Sequence, residues 1–244
     1  MSEKVASTVN PAEFTFAFQP IVDNYSRSIY SYEALVRGLN GESAYAVISR
    51  YSAAQMPEFD AACRIKAIEV ASNIGVSTHL NLNFLPTAAL SADYGLSSTL
   101  AAAARIGFPA DRLIIEATEG ESIGDHAQFA EVINEYRRAG VRLAIDDFGA
   151  GYSGLNLLAE FQPDVVKLDM SLVRNIHRHG PRQAIVRAIA QVCTDLGIDF
   201  IVEGVESVEE YAWFNDQGVN LYQGYLFAKP LFEALPEFTL PPLN

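Results

Sequence analysis

The amino-acid sequence predicts an α/β fold whose simplest form is a (β/α)8 barrel. Apolar runs of strand length alternate with runs of helical periodicity, and the connections between them are short. Eight strand candidates fit within the 244 residues, which suits a barrel in count and length. No Gly/Ser-rich linker or break in composition divides the chain. An open doubly wound sheet is the alternative fold.

The first part of the chain departs from a regular barrel. Residues 1–13 are polar and predict a flexible N-terminal tail. Residues 14–23 and 28–37 have the composition of strands, and Asp23-Asn24-Tyr25-Ser26 between them is typical of a turn. The chain is therefore expected to begin with an antiparallel hairpin. Helices are expected next, at 44–51 and 59–73.

The remaining elements alternate regularly, which predicts a parallel sheet. The expected strands are 79–84, 112–117, 142–147, 164–169, 199–203 and 219–222. The expected helices are 96–106, 125–139, 155–161, 182–196 and 208–216. Three prolines in the final segment indicate a C-terminal tail at 236–244, which leaves 14–235 as the folded domain.

Composition excludes several classes of function. Half of the residues are hydrophobic, so a sizeable core is available, and the formal net charge of -13 argues against a nucleic-acid polymer as partner. Cys63 and Cys193 lie in helical patterns and are expected to pack in the interior, as in a reducing cytoplasm. No apolar run reaches the roughly 18 residues that a membrane span needs, so a soluble protein is expected.

The stretch from Arg142 to Leu155 is central to the functional interpretation. A short apolar strand ends in Asp146 and Asp147, and a glycine-rich turn leads into a helical pattern. Two adjacent carboxylates in a partly dry pocket repel each other, so one would take up a proton unless a cation holds both. A divalent metal ion is the simplest such cation.

The same stretch also matches a dinucleotide-binding fingerprint. Gly149-Ala-Gly-Tyr-Ser-Gly154 reads G-x-G-x-x-G between a strand and a helix, with Asp169 downstream. Asp146 and Asp147 argue against this interpretation because they would repel a pyrophosphate at the turn. A third possibility is that the glycines only form a tight loop.

Polar residues follow the apolar run in most of the predicted strands. They are Glu33, Asn81, Asn83, Glu116, Asp146, Lys167, Asp169, Glu203 and Gln223. Any single acid here could be the N-cap of the next helix. In a closed barrel, however, the C-terminal ends of the strands converge on one face, where active sites lie. The coincidence at five strands favours a shared acidic mouth.

Oxygen-rich sites of this kind suit Mg²⁺ or Mn²⁺, and the scattered histidines do not predict a zinc site. Two divalent ions in an acidic mouth suit phosphodiester hydrolysis. Lys167 is expected to stay charged among the acids and to orient water or offset charge on phosphoryl oxygens. Arg37 could bind a substrate phosphate or be a surface residue. Proton abstraction with Lys167 as base is an alternative that the neighbouring acids disfavour.

A set of motifs resembles one known family. They are Phe18-Gln19-Pro20-Ile21, Glu33-Ala34-Leu35-Val36-Arg37, Leu80-Asn81-Leu82, Glu116-Ala117-Thr118-Glu119, Asp146-Asp147-Phe148-Gly149, Lys167-Leu168-Asp169, Glu203-Gly204-Val205-Glu206 and Gln223-Gly224-Tyr225. In this order they resemble the EAL-domain family of cyclic di-GMP phosphodiesterases over residues 14–230. Within the family, the chain looks most like the EAL portions of BLUF-linked proteins.

The resemblance implies a TIM-like (β/α)8 barrel with an antiparallel first strand. It implies hydrolysis of cyclic di-GMP to linear pGpG with two Mg²⁺ or Mn²⁺ ions, and a homodimer. A sensor or regulatory partner is a further expectation. The implied metal ligands are Glu33, Asn81, Glu116, Asp146 and Asp147. The implied catalytic residues are Lys167, Glu203 and Gln223. The implied substrate contacts are Gln19, Leu35 and Arg37, and the implied anchors of the loop after Asp147 are Glu119 and Glu206.

The sequence departs from the family pattern without losing an implied ligand. Ala117, Ala150 and Gly154 replace more usual residues, and Asn83 stands where serine is frequent. These changes bear on the rigidity of the loop and hence on rate and regulation. The alternative function is a catalytically silent cyclic di-GMP receptor or a protein-binding adaptor on the same fold.

Overall fold

The computed structural model describes residues 9–88, 94–118, 126–151 and 154–242. Within these ranges, eight strands close into one barrel and a ninth short strand lies beside the first. The strands are β1 (Phe14–Asp23), β2 (Ser28–Gly38), β3 (His79–Asn83), β4 (Leu113–Thr118), β5 (Arg142–Phe148), β6 (Val165–Leu168), β7 (Asp199–Val202), β8 (Leu221–Tyr222) and β9 (Leu231–Phe232).

The strand order confirms a TIM-like barrel with an antiparallel first strand. Strands β2 to β8 follow one another around the barrel in parallel. Strand β1 closes the ring and is antiparallel to both of its barrel neighbours, β2 and β8. Strand β9 adds to the other half of β1, opposite Ala17 and Phe18. The open doubly wound sheet is therefore excluded.

Helices cover the outside of the barrel, and each predicted helix is present with bounds shifted by a few residues. They are α1 (Ala44–Ile48), α2 (Met56–Asn73), α3 (Leu96–Ile106), α4 (His126–Arg138), α5 (Gly154–Phe161), α6 (Met170–Val173), α7 (Gly180–Leu196) and α8 (Val208–Asp216). The sequence did not predict α6 or β9. Both are too short for periodicity to reveal, and Asp169 proves to be the N-cap of α6 instead of the end of a strand. No helix in the described part of the chain is long and apolar enough to cross a membrane.

Segments that the sequence assigned to tails contact the core where the structure describes them. Val9 is buried, and residues Pro11–Glu13 form a 3₁₀ turn that Asn10 caps. Towards the C-terminus, Leu235, Phe238 and Leu240 pack against the core, partly buried. Residues 1–8, 243 and 244 lie outside the described ranges, so their predicted flexibility stays a prediction.

The interior of the barrel consists of an apolar layer beneath a polar layer. The apolar layer contains Ile21, Ile114, Ala144, Val165, Ile201 and Leu221. Side chains alternate between the two faces of a strand, so the residue two positions further on also points inward. That step leads from Ile114 to Glu116 on β4 and from Val165 to Lys167 on β6. The polar side chains therefore form a second layer inside the barrel, directly above the apolar layer.

A polar cluster closes the opposite end of the barrel. The pairing of β1 and β2 shifts register between Ile21 and Val22, which leaves Tyr30 as an extra residue packed against the apolar layer. The Tyr30 hydroxyl donates to Asp199 Oδ2 at 2.9 Å and accepts a hydrogen bond from Arg142. Arg142 Nη2 also donates to Asp199 Oδ2 at 2.7 Å. These bonds join β2, β5 and β7 beneath the apolar layer.

Helix α8 begins with a capping box that fixes the preceding loop. The Ser207 hydroxyl accepts from the Glu210 amide, and the buried Glu210 carboxylate accepts from the amides of Glu206, Ser207 and Asn175. Burial by itself would raise the pKa of Glu210. The hydrogen bonds from these amides and the nearby Arg174 outweigh burial and lower the pKa.

Replacing Tyr30 with Phe should lower the free energy of unfolding by about 1 kcal/mol, because Arg142 and Asp199 lose a partly buried hydrogen-bond partner. Urea denaturation would measure the loss. Tyr25→Phe is the matched control, since the Tyr25 side chain is exposed, and we expect a change below about 0.5 kcal/mol. Equal stability of the two variants would show that the polar cluster does not support the barrel.

Replacing Glu210 with Gln should cost about 1–3 kcal/mol at pH 7, because the three backbone N–H groups donate to both carboxylate oxygens and an amide keeps only one acceptor oxygen. The native pKa of Glu210 is lowered, so the carboxylate's contribution is present above its unfolded pKa of about 4.3 and is lost as pH falls through the lower folded value. Urea titrations at several pH values should show the gap between the two proteins closing in acid. The exposed Glu209, replaced with Gln, should show no comparable gap.

Candidate active site

The C-terminal mouth of the barrel gathers the polar side chains that the sequence singled out. Gln19, Glu33, Asp146, Lys167, Glu203 and Gln223 line one cavity of about 330 Å³, together with Asp147. Each lies on or directly after a different strand, apart from the adjacent pair Asp146 and Asp147. The position follows from the alternation of side chains in the barrel, so the residues meet because the ring of strands is closed.

Lys167 stands at the centre of this cluster and is fully buried. Its Nζ lies 2.7 Å from Glu203 Oε1, 2.8 Å from Glu116 Oε1 and 3.0 Å from Asp146 Oδ1. Glu33 Oε2 is slightly further away, at 3.4 Å. Four strands therefore direct carboxylates at one ammonium group, and none of these four acids caps a helix, which was the alternative for each acid taken singly.

Side-chain amides hold the carboxylates from the other side. Gln223 Nε2 donates to Glu33 Oε2 at 2.7 Å and approaches Gln19 Oε1 at 3.3 Å. Asn81 Nδ2 donates to Glu116 Oε1 at 2.7 Å. Gln19 Nε2 is in turn bonded to the backbone oxygen of Ala228 at 3.2 Å. The amides fix the orientation of Glu33 and Glu116 before any ligand arrives.

A β-bulge explains how Asp146 and Asp147 reach the same site. Adjacent residues of a regular strand point to opposite faces. Here Ile145 pairs with Val166 and Phe148 with Leu168, so two residues of β5 stand opposite Lys167 alone. Asp147 takes up the extra length with a left-handed backbone, φ 53°, which Asp tolerates better than most residues. As a result, oxygens of Asp146, Asp147 and Glu203 lie within 4.8 Å of one another.

The electrostatics of the mouth follow from burial and crowding of like charges. Burial opposes the charge of Lys167, but Asp146, Glu116 and Glu203 outweigh it and raise its pKa, so the lysine stays charged as the sequence predicted. Burial raises the pKa of Glu116 to about 8 against the effect of Lys167. Burial also raises the pKa of Glu203, and together with Asp146 it raises that of Asp147 to about 6. The single ammonium group of Lys167 therefore does not balance the negative charge of the surrounding carboxylates.

The residues present fit divalent metal ions. Asn81 Oδ1 and Glu116 Oε2 are buried without a hydrogen-bond partner among the described residues, although buried oxygens are usually paired. Both belong to the predicted ligand set, and the remaining donors are carboxylate oxygens. A set of hard oxygen atoms with unsatisfied members is what Mg²⁺ or Mn²⁺ requires.

The structure places the other predicted residues around this centre. Leu35 lines an apolar cavity beside the mouth, between β2 and α2. Arg37 is half-buried, and its Nη1 donates to the backbone oxygen of Val36 at 2.8 Å. Glu206 forms an ion pair with Arg174, from Oε1 to Nη2 at 3.0 Å. Glu119 lies outside the described residues, so its predicted anchoring role stays a prediction.

Several residues of the mouth were not identified as site residues from the sequence. Asp169, Met170 and Tyr225 line the same cavity. Asp169 was counted among the polar residues of the acidic mouth but was given no role of its own. Tyr225 appeared only as the last residue of a motif, and Met170 has no charged group that would mark it as a site residue. Asp169 is the N-cap of α6, a helix that the sequence did not predict, so the proximity of Asp169 to Asp147 could not be expected from the sequence.

The glycine motif also has a structural explanation. Gly149 adopts φ 96°, and a Cβ at this position would overlap Leu172 Cδ1. Asp169, the acid expected to bind a ribose in a dinucleotide site, instead accepts from the Ser171 amide at 2.9 Å. These contacts favour a tight loop over a pyrophosphate-binding turn. Tyr152 and Ser153 lie outside the described residues.

Comparison with known proteins gives a consistent result. The model of the EAL domain family matches residues 3–230. The Escherichia coli K12 protein named blue light- and temperature-regulated antirepressor BluF is 34% identical over 227 residues, 93% of this chain and 56% of BluF. Cyclic di-GMP phosphodiesterase PdeR of the same organism is 43% identical over 117 residues, 48% of this chain and 18% of PdeR. The chain thus spans little more than half of BluF and a fifth or less of PdeR.

Solved structures are similar over almost the whole chain. A standalone versatile EAL protein from Vibrio cholerae O395, in its c-di-GMP bound form, superposes with a TM-score of 0.87 and 48% identity, covering 93% of this chain and 95% of that one. Klebsiella pneumoniae BlrP1 in a manganese/cy-diGMP complex gives a TM-score of 0.86 and 38% identity, covering 91% of this chain and 57% of that one. By family model, sequence and fold, this chain belongs to the EAL-domain family.

Proposed function

We propose that this protein hydrolyses cyclic di-GMP to linear pGpG with two divalent metal ions. The observation that carries the proposal is the convergence of Glu33, Glu116, Asp146 and Glu203 on Lys167. In the described part of the chain, Asn81 Oδ1 and Glu116 Oε2 also have no hydrogen-bond partner. Relatives named cyclic di-GMP phosphodiesterases and similar structures solved with cyclic di-GMP support the choice of substrate.

Metal binding falls to five residues at the mouth. Glu33, Asn81, Glu116, Asp146 and Asp147 would hold the ions. Once bound, the ions supply Lewis acidity that makes a water more acidic and neutralises charge on the phosphodiester. Mg²⁺ or Mn²⁺ is the proposed metal. Structures of BlrP1 as a manganese and as a calcium complex with cyclic di-GMP support a divalent ion in this role.

The remaining site residues would orient the attacking water and move its proton. Lys167 Nζ, directed into the mouth, donates a hydrogen bond to the water and stabilises charge on the phosphoryl oxygens. Glu203, 2.7 Å from Lys167, accepts the proton that the water loses. Gln223 would lie near the water, and its hydrogen bond to Glu33 would keep that carboxylate in place. The water oxygen forms a bond to phosphorus, the bond from phosphorus to the 3′-oxygen breaks, and the leaving 3′-oxygen takes up a proton.

Substrate binding is assigned to the rim. Gln19 lines the cavity, Leu35 borders the neighbouring apolar cavity and Arg37 is a half-buried residue near the end of β2. Arg37 would leave its backbone contact with Val36 and pair with a substrate phosphate, which a guanidinium can bind through two hydrogen bonds.

A second candidate function is a catalytically silent receptor or a protein-binding adaptor. BluF is 34% identical to this chain over 93% of its length, and BluF is named an antirepressor. That name favours a function that does not require hydrolysis. The ligand set argues for the enzyme, since each implied ligand is present in the sequence. A homodimer, a sensor or regulatory partner, and a cytoplasmic location also stay predictions.

The purified protein should convert cyclic di-GMP to pGpG in the presence of Mg²⁺. Replacing Glu33 with Ala should lower kcat/KM by more than about 100-fold, because even outer partners of metal ligands contribute 10- to 100-fold. Asp195→Ala on the exposed side of α7 is the control and should keep full activity. Tight binding of the dinucleotide by the unaltered protein without turnover in Mg²⁺ or Mn²⁺ would favour the silent receptor.

Removing metal should abolish turnover, and adding Mn²⁺ or Mg²⁺ should restore it. Calorimetry should detect two Mn²⁺ per chain in the absence of substrate, and saturation near 100 times Kd should stabilise the fold by about 2.7 kcal/mol per site. Asp146→Asn should weaken this binding, because it removes a carboxylate from the cluster. Activity that survives complete chelation would contradict a metal mechanism.

A further inference from the structure

The one-turn helix α6 contacts two loops that border the mouth. Its first residue, Met170, packs against Gly204 in the loop after β7, where an added Cβ would lie 2.6 Å from Met170 Cβ. Its third residue, Leu172, packs against Gly149 in the loop after β5. These loops follow Glu203 and Asp147, so α6 touches the chain beside both of these site residues.

Arg174 joins the end of α6 to the far end of the loop after β7. Its Nη2 lies 3.0 Å from Glu206 Oε1, and its Nη1 lies 3.6 Å from Glu210 Oε2. The next residue, Asn175, donates its backbone N–H to Glu210 Oε1 at 2.9 Å. Glu210 also accepts from the amides of Glu206 and Ser207. The loop after β7 and the end of α6 are thus held by the same buried carboxylate.

We propose that Arg174 is a positioning residue that keeps Glu203 in its productive place by clamping the loop 203–207 to α6. The inference rests on the proposed function, because it concerns the placement of a residue of that site. The loop is fixed at its start by the contact of Glu203 with Lys167, and in its middle by Gly204 under Met170. At its end, Glu210 holds the backbone amides of Glu206 and Ser207, and Arg174 holds the Glu206 side chain. Loss of Arg174 therefore loosens the end of the loop, although the backbone contacts remain.

The geometry asks for an arginine at this position. The two terminal nitrogens of the guanidinium engage two different carboxylates, Glu206 and Glu210, and a planar fork can do this with little loss of entropy. A lysine presents one charged nitrogen on a flexible stem and would serve one carboxylate at a time. The Arg174 backbone oxygen is separately held by Arg182 Nη1 at 2.9 Å, so the backbone stays in place when the side chain changes.

Experiment can distinguish an effect of Arg174 on the stability of the fold from an effect on the position of Glu203. Arg174 and Glu206 are partly exposed, and ion pairs of that kind contribute little to the stability of a fold. Arg174 also lies 3.6 Å from the buried Glu210, but that carboxylate keeps its three backbone hydrogen bonds when Arg174 is replaced. A purely structural ion pair would therefore leave both the melting temperature and the chemistry almost unchanged. A positioning residue would leave the melting temperature almost unchanged and lower kcat, because small displacements of a catalytic group have large effects on rate.

The test compares Arg174→Gln with Arg105→Gln in the full chain. Arg105 is the matched control, because its Nη2 pairs with Glu69 Oε1 at 3.1 Å on the outside of the barrel, away from the mouth. We expect Arg174→Gln to lower kcat for cyclic di-GMP about tenfold. KM should stay within about twofold, because Arg174 does not itself line the cavity and reaches it only through Glu206. Arg105→Gln should change neither, and Arg174→Lys should fall between the two.

A second measurement keeps the inference testable if turnover is absent. Mn²⁺ affinity, measured by calorimetry without substrate, should fall about tenfold in Arg174→Gln and not in Arg105→Gln, because Glu203 shares a metal-sized cluster with Asp146 and Asp147. If the unaltered protein shows no turnover, the proposed function fails and the Mn²⁺ affinities alone decide the role of Arg174.

A double variant tests whether Arg174 acts through Glu206. If Arg174 acts through Glu206, the double variant Arg174→Gln, Glu206→Gln should lose no more activity than the stronger of the two single variants. Equal kcat and equal Mn²⁺ affinity in Arg174→Gln and Arg105→Gln would overturn the inference. If Arg174→Gln fails to fold, Arg174→Lys and Glu206→Gln carry the same comparison.

Discussion

The charge of Lys167 is the constraint around which the mouth of this barrel is arranged. An ammonium group taken out of water needs compensating charge, and three carboxylates lie within 3.0 Å of it with a fourth at 3.4 Å. The carboxylates are buried as well, so each needs a positive partner. One lysine cannot neutralise all four carboxylates, and the pKa values of Glu116 and Glu203 are accordingly raised. The remaining demand for positive charge is the reason why the mouth suits divalent cations.

The barrel makes this arrangement rigid. Beneath the charged ring lies a layer of apolar residues, and beneath that layer Tyr30, Arg142 and Asp199 close the opposite end. The charged side chains therefore emerge from strands whose positions are fixed on both sides. Amide groups of Asn81 and Gln223 set the orientation of the two glutamates that they touch. Such preorganisation suits a site in which metals and a phosphodiester must be held in line.

Loops complete the site and are held less uniformly than the strands. The bulge after Ile145 turns Asp147 into the mouth, and α6 lies between the loop that follows it and the loop after Glu203. Motion in either loop would be transmitted through α6, because Leu172 packs against one and Met170 against the other. The glycines at 149 and 204 permit this packing, since both have positive φ and a side chain at either would collide with α6.

The sequence by itself determined the class of fold, the antiparallel start and the residues of the charged ring. These features depend on local rules: strand and helix periodicity, turn residues, and a polar side chain at the end of each apolar run. Tertiary structure alone decided which oxygens meet. The contact of Lys167 with four acids depends on closure of the ring, the pairing of Asp146 and Asp147 depends on a bulge against β6, and the partner of Glu206 depends on α6. Contacts of this kind join residues far apart in the chain, so no local pattern encodes them, and elements as short as α6 and β9 form only because the surrounding barrel holds them in place.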